Sequence, residues 1–465
     1  MGANVARAAH HQNIHIFHSV QYRLSIAPAS FFDLGTNTKQ FDVNRLVQLK
    51  TSSSAPQDCS PQPTRLKTML TLVLFLFMLP IALPAFSLLV LTIAALQARG
   101  KQAQAGKPAE QSSVRVAVLV PAHNESSNVL PTIQCLQQQL GPKDRVLVIA
   151  DNCDDDTAEL ARQAGAQVIE RQNPDQRGKG YALAFGVDHL RSDPPDVVMV
   201  VDADCLLSEG AVAAVAAQCQ HSAKPIQMLY LIKTDKLSGL RLRVVEFAML
   251  VKNLVRPLGT NLLGGACHLM GTGMAFPWAL INKANLATGH IVEDMKLGIE
   301  LAMAGHPAQF QSAFLVTSAF HADNSVVKVQ KSRWEHGHLD VIKQELPTLA
   351  ASAIKTRRPE LIVLAMDLLI PPLAFYSTVL LVGTTLSVLA ALAWPDWKPT
   401  AWLGISACTA LLLSITLAWQ RFGRHLLSAK ELLMTPLYVI WKLPVYLAYF
   451  LRKKSGWVRT KRDSE

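Results

Sequence analysis

Asp202-Ala203-Asp204 closes an apolar run, "VVMVV", at 197–201. Along an extended chain, residues two apart point to the same side, so the run predicts two carboxylates together at a strand tip. Left alone they repel each other, and a cation between them removes that cost. Mg2+ or Mn2+ takes oxygen ligands of this kind and keeps phosphate oxygens and water in the rest of its shell. The chemistry expected is a metal-held diphosphate whose charge is drawn off as it leaves. D-x-D triplets also arise by chance, so the weight falls on the position after a buried strand.

Three further stretches suit a nucleotide. "PAHNESSNV" at 121–129 follows another apolar run and offers Glu125 to a ribose or base, the plain alternative being a polar turn. Asp151 opens "DNCDDDTAELA" and is placed for a base or ribose contact, whereas Asp155 or Asp156 reads as a helix N-cap. In "NPDQRGKGYALAFG" at 173–186, Lys179 lies between Gly178 and Gly180 at a helix start. Glycines there let a backbone approach closely, and a helix N-terminus with a lysine favours phosphate. The spacing is not that of a P-loop, and an ordinary capped helix is the alternative.

Glu293-Asp294 precedes an amphipathic helical stretch and forms a candidate catalytic acid pair. Asp294 is the expected general base, taking a proton from an acceptor hydroxyl. Acids that merely complement a helix dipole are the competing explanation. "VQKSRWEHGHL" at 329–339 puts Gln330 and Arg333 on one helix face with Trp334 beside them. Arginine suits bidentate contact with phosphate, and tryptophan suits stacking on a sugar ring. His336 and His338, with His321, lack the spacing of a helical metal pair, which disfavours a histidine metal site.

These residues need a sheet to hold them. Short β-branched runs at 114–122, 144–151, 166–171 and 196–204 alternate with helix-like stretches. That pattern predicts βαβ units, a mostly parallel sheet and functional loops at the strands' carboxyl ends. The fold class expected is α/β, with membrane helices attached.

Half of the 465 residues are apolar and the formal net charge is +11. The charge makes acidic partners plausible: nucleic acid, anionic lipid headgroups or a nucleotide phosphate. Seven scattered cysteines without a C-x-x-C pair argue against a disulfide framework and a structural zinc site. A polar, aperiodic segment at 1–65 is expected to be disordered, followed by a transmembrane helix at 66–96 and a basic linker at 97–113. The catalytic domain is expected over 114–345, then interfacial helices at 346–372 and transmembrane helices at 373–393 and 402–419. Residues 432–451, with Lys442 in their middle, read as interfacial more than spanning, and 452–465 as a basic tail. Basic residues flank the domain and fill the tail, which predicts a cytoplasmic catalytic domain in a multi-pass cell-membrane protein.

Taken in order, Asp151, Asp202-x-Asp204, Glu293-Asp294 and Gln330-x-x-Arg333-Trp334 resemble membrane-integrated family 2 glycosyltransferases. They look most like the processive β-glycan synthases that make cellulose, hyaluronan and chitooligosaccharide. The resemblance implies a GT-A domain of Rossmann-like character, a UDP-sugar donor, Mg2+ or Mn2+, and inversion at the anomeric carbon. It implies that Asp151 contacts uridine, Asp202 the diphosphate and Asp204 the metal, while Asp294 is the base. Gln330, Arg333 and Trp334 would close over the donor and position the acceptor. Where cellulose synthases carry an aromatic-cysteine-glycine acceptor motif, this chain reads "HLMGTGMAF" at 268–276, leaving Gly271, Thr272 and Gly273 as acceptor candidates. The partners implied are a UDP-sugar, a glycan or lipid acceptor, membrane lipids and accessory secretion subunits, with no nucleic acid. A transferase that adds one or few sugars to a membrane lipid is the alternative enzyme. A non-catalytic scaffold or transporter with a degenerate nucleotide-binding domain is the alternative outside enzymes, and the intact acid set disfavours it.

Overall fold

The computed structural model describes residues 63–98, 113–233, 239–289, 292–319 and 324–441, with side chains except at 63–66, 324–332 and 436–441. The expectations for residues 1–62, for most of the 97–113 linker, for the second half of 432–451 and for the 452–465 tail concern residues outside that set.

The described chain begins with α1 (Pro63–Gln97), an apolar helix that runs through Pro80 and Pro84. The domain then opens with β1 (Val116–Ala122), α2 (Val129–Gln137), β2 (Arg145–Asp151), α3 (Thr157–Gln163) and β3 (Gln167–Arg171). Next come α4 (Lys179–Leu190), β4 (Val197–Val200), the short β5 (Leu206–Leu207) and α5 (Ala211–Ser222). β6 (Ile226–Lys233), α6 (Leu240–Leu250) and α7 (Arg256–Leu262) lead to β7 (Met274–Pro277), α8 (Trp278–Ile281) and α9 (Glu293–Met303). β8 (Gln309–Ala319) closes the sheet, and the long α10 (Asn324–Thr356) leaves it. The remaining helices are α11 (Pro359–Leu368), α12 (Leu373–Ala393), α13 (Lys398–Ala418) and α14 (Ala429–Trp441).

One eight-stranded sheet has the order β3-β2-β1-β4-β7-β6-β8-β5. β3, β2, β1 and β4 run parallel, whereas β7 is antiparallel to both β4 and β6. The α/β class is as expected, and the sheet is mixed. Strand alternation divides the core. Val116, Val118 and Val120 of β1 pack with Ile133, Leu136 and Val215 on one face. Ala117 and Leu119 pack with Leu183, Val187 and Phe276 on the other. A strand buried on both faces reads as a continuous apolar run, and that is how β1, β2 and β4 appear in the sequence.

One expectation is corrected. β4 ends at Val200, before the acid pair, so strand alternation does not align Asp202 with Asp204. A turn does it instead, in which the Cys205 N–H donates to the Asp202 carbonyl at 3.1 Å. α10 is continuous across residue 345 and runs on through Pro347 to Thr356.

Among the described residues three helices are long and apolar enough to cross a membrane: Lys67–Gln97, Leu373–Ala393 and Pro395–Gly423. α1 is the hub of this part, and Leu88, Leu91 and Ala95 share a core with Leu258 of α7 and Ala407 and Leu411 of α13. α7 comes close to α1 at Gly259, where a Cβ would stand 2.2 Å from the Leu91 carbonyl oxygen. Small residues allow such backbone approach between apolar helices. Alanine is intrinsically better in a helix by roughly 1 kcal/mol, but a backbone obstacle cannot swing aside, and overpacking costs about 1–3 kcal/mol. Gly259→Ala should therefore lower the unfolding midpoint of detergent-solubilised protein. Gly239→Ala, at a position with nothing within 4 Å of the added carbon, is the control and should not. Equal midpoints in the two variants would contradict the close helix contact.

Candidate active site

The sheet brings the carboxyl ends of β1, β2 and β4 to one edge, and the polar residues after each strand gather there. Asp151, the last residue of β2, is opposite Arg171 of β3 in the parallel register. Both side chains are buried, and Arg171 Nη1 donates to Asp151 Oδ1 at 2.7 Å. The Arg171 guanidinium also stands over the Tyr181 ring, 5.6 Å from its centroid. His123 Nδ1 is 2.7 Å from the Asp151 carbonyl oxygen. Asn124 and Asn152 adopt left-handed backbone angles, φ 55° and 53°, which turn both loops at the strand ends. Asparagine tolerates that region better than most residues.

Glu125 is buried beside this edge. Its carboxylate accepts from Asn128 Nδ2 at 3.0 Å, and its carbonyl accepts from Asn128 N and Val129 N at the entry to α2. Of the two candidate caps for α3, Asp156 makes no side-chain cap bond. Asp155 does the work, accepting from Thr157 N at 3.1 Å and from Ser126 N at 3.2 Å. Hydrogen bonds from Thr157 and Ser126 hold its carboxyl below the usual range, outweighing burial.

Lys179, in the first turn of α4, joins the two acid groups. Its Nζ pairs with Asp202 and donates to the Gly271 carbonyl at 2.8 Å. Burial alone pushes its ammonium down, but Asp202, then Glu293 and Asp294, hold it above the usual lysine range. Glu293 and Asp294 form the first turn of α9, where the helix dipole favours negative charge. Burial, and after it the neighbouring Asp294, pushes Glu293 up to about 8. Asp294 is also raised, by burial, with Lys179 pulling the other way. A nearly closed pocket of about 20 Å³, roughly the space of one water, lies against both acids and is walled by Leu183, Met274, Leu286 and Leu297.

The 268–273 segment is the other wall. Gly271 adopts φ +87°, and a Cβ there would sit 3.4 Å from Asp294 Oδ2 and 3.6 Å from Lys179 Nζ. Glycine thus supplies the turn and leaves the space between cation and base open. Thr272 is fully buried, and its hydroxyl accepts from the Asp202 N–H at 3.1 Å, tying this segment to the end of β4.

Asp202, Asp204 and Cys205 bring one ligand atom each within 4.8 Å of one another. The two carboxylates fit a hard divalent cation. The Cys205 thiol does not: burial, then Asp204 and Asp202, push its pKa well up and keep it protonated. Among the described residues no histidine cluster accompanies them. Arg333 and Trp334 are half-buried on α10, with Trp334 packed against the sheet core and Arg333 facing Glu293. The Gln330 side chain and His321 lie outside the described residues.

Lys179, Asp202, Glu293, Asp294, Gly271 and Thr272 therefore form one connected group, with Asp204 next to it. Asp151 and Glu125 lie at the β1–β2 side of the same edge. The Asp151–Arg171 pair was missed by sequence reasoning, although both residues end apolar runs and parallel register would have paired them.

Residues 114–337 match the family described as "Glycosyltransferase like family 2". A 4,4'-diaponeurosporenoate glycosyltransferase of Staphylococcus haemolyticus is 26% identical over 206 residues, covering 40% of this chain and 52% of that protein. A poly-beta-1,6-N-acetyl-D-glucosamine synthase of Staphylococcus aureus is 22% identical over 273 residues, covering 58% of this chain and 64% of that one. The chain thus spans between half and two thirds of the length of these curated relatives. Among solved structures, a mannosyltransferase from Pyrobaculum calidifontis in complex with GDP-Man and Mn2+ aligns at TM-score 0.44 and 16% identity, over 75% of this chain and 99% of that one. A glucosyl-3-phosphoglycerate synthase from Mycobacterium tuberculosis, in complex with Mn2+, UDP and product, aligns at TM-score 0.33 and 19% identity, over 48% of this chain and 80% of that one. The matched stretch contains β1 through the start of α10, and so the whole acid-rich edge, and over that stretch the chain is similar to the family 2 glycosyltransferases.

Proposed function

We propose that the enzyme inverts configuration as it transfers a sugar from a UDP-sugar to a growing β-linked polysaccharide at the membrane. The observation that supports this most is the connected group of Lys179, Asp202 and Asp294 around Gly271, with Asp204 beside it. Donor and base chemistry then meet at one small opening. Asp202 and Lys179 face the donor diphosphate, and Asp151, Glu125, Arg333, Trp334 and Gln330 complete the nucleotide side. A divalent cation, Mg2+ or Mn2+, held by Asp204 would supply charge neutralisation for the departing nucleotide.

Asp294 removes the proton from the acceptor hydroxyl, whose oxygen attacks the anomeric carbon as the bond to the diphosphate breaks. A single displacement of this kind inverts the centre. Burial raises Asp294 and so makes it a stronger base than a surface aspartate, while Lys179 pulls the other way. Gly271, Thr272 and Gly273 border the acceptor side. The three apolar helices support a reaction at a membrane, and the basic flanks support a catalytic domain on the cytoplasmic side, where nucleotide sugars are made.

A second reading, transfer of one or few sugars to a membrane lipid, is favoured by the relative named for 4,4'-diaponeurosporenoate, a single compound and not a polymer. Sizing products from a panel of labelled UDP-sugars, each with Mg2+ and Mn2+, separates the two. Polymer ladders are expected, and one lipid-soluble product would replace the polymer reading with the second.

The roles of the acids are tested by exchange. Asp294→Asn should lower transfer by about 10²–10⁴-fold, the usual range for a positioned base, while leaving nucleotide binding intact. Asp204→Asn should weaken Mn2+ binding measured by titration calorimetry. Full transfer by the first variant, or wild-type Mn2+ affinity in the second, would remove that residue from its role.

A further inference from the structure

β6 carries a polar side chain where its neighbours are apolar. In "IQMLYLIK" at 226–233, Ile226, Met228 and Tyr230 belong to one core face, and Leu229 packs on the other. Strand alternation sets Gln227 on that second side, and it is fully buried. A buried amide is costly unless its hydrogen bonds are made. Gln227 Nε2 donates to the Thr272 carbonyl at 2.9 Å and to the Met228 carbonyl at 2.8 Å. Its Oε1 accepts from the Met270 N–H at 2.8 Å. Two carbonyls and one N–H leave the amide a single orientation, since only its nitrogen donates and only its oxygen accepts.

The residue between the two clamped positions is Gly271. Its carbonyl accepts from Lys179 Nζ at 2.8 Å, and beside it the Thr272 hydroxyl accepts from the Asp202 N–H at 3.1 Å. Gly271 and Gly273 both adopt left-handed angles, φ +87° and +65°, so the segment turns sharply. Met228 N donates to the Gly273 carbonyl at 2.8 Å, and the pairing of β6 with β8 slips between Met228 and Leu229. Such irregularities recur beside active sites, where they re-aim side chains. On the α9 side the segment leans on Gly298, where a Cβ would come 3.1 Å from Leu269 Cγ. All three hydrogen bonds of Gln227 go to backbone groups, so it acts through the turn.

We propose that Gln227 is a positioning residue, holding the 270–272 turn so that the acceptor hydroxyl, and not water, stands beside Asp294. This rests on the transferase reading above and adds a residue to it. A Cβ at Gly271 would come 3.4 Å from Asp294 Oδ2, so displacing the turn changes the space at the base directly. With the turn fixed, the acceptor oxygen bonds to the anomeric carbon, the bond to the diphosphate breaks and Asp294 takes the hydroxyl proton. With the turn loose, water enters the same space. Its oxygen bonds to the anomeric carbon, Asp294 takes one of its protons, and free sugar and UDP leave. A bound hydroxyl owes its advantage over water to its position, and misplacement by about 1 Å costs about 10²-fold.

The test uses the full chain in detergent with the labelled UDP-sugar panel, and compares label in glycosylated product with label released as free sugar. Gln227→Met keeps the side chain's length and removes all three hydrogen bonds. It should lower the ratio of transfer to hydrolysis by about ten- to a hundredfold. Gln227→Glu keeps the length and the acceptor for Met270 N but gives up at least one donor, so its ratio should fall by less. A fold that is merely weakened reduces the active fraction, which scales both products alike and leaves their ratio in place. Where Gln227→Met does not accumulate, Gln227→Glu decides alone. An unchanged ratio in either folded variant, beside normal transfer by wild type, overturns the role of Gln227 and spares the transferase reading. Wild type that yields neither labelled product nor free sugar from any donor sinks that reading, and this proposal with it.

Discussion

The Lys179 ammonium stands among Asp202, Glu293 and Asp294, and each of those carboxylates raises its affinity for a proton. Without that cation, three acids would share one partly dry edge, and the weakest would take up protons to relieve the repulsion. Its second donor contact, to the Gly271 carbonyl, also fixes the loop that borders Asp294. The arrangement thus depends on a lysine whose own position is set by the start of α4. Charge balance and loop geometry are one constraint here, and the proposed roles of donor grip and base both follow from it.

The same constraint explains how glycine and threonine serve the site. Gly271 leaves the gap between Lys179 and Asp294 open, and Thr272 ties the loop to the end of β4. The Asp151–Arg171 pair is a separate, more deeply buried lock on the β2–β3 side. Breaking one partner of such a pair costs more than a surface ion pair, since the other charge is left uncompensated. The edge of the sheet thus carries two ion pairs, Asp151–Arg171 buried on one side and Lys179–Asp202 more open on the other.

Much of this was legible from residue types. The apolar runs marked β1 to β4 because strands covered on both faces need continuous apolar sequence, and each run ended in the polar residues that now share an edge. Asp202-x-Asp204 was found, but its geometry was misjudged: a turn after Val200, not strand alternation, brings the carboxylates together. β7 and the mixed right half of the sheet were not foreseen, since "MAFP" is too short to stand out by periodicity. Contacts between distant residues were the least legible. Arg171 meets Asp151 through strand register, and Arg256 meets Asp367 through the packing of α7 and α11, which no local pattern encodes.

The pH dependence of transfer by wild type and by Lys179→Met tests the charge balance most directly. Asp294 and Glu293 are both raised by burial and lowered by Lys179, so their basic forms appear only above their folded-state pKa values. Activity should fall as pH drops through that range. Removing the cation should move this acid limb to higher pH by on the order of one to two units, the size of a charge interaction at close range in a protein. A limb that stays in place, or moves to lower pH, would contradict the account.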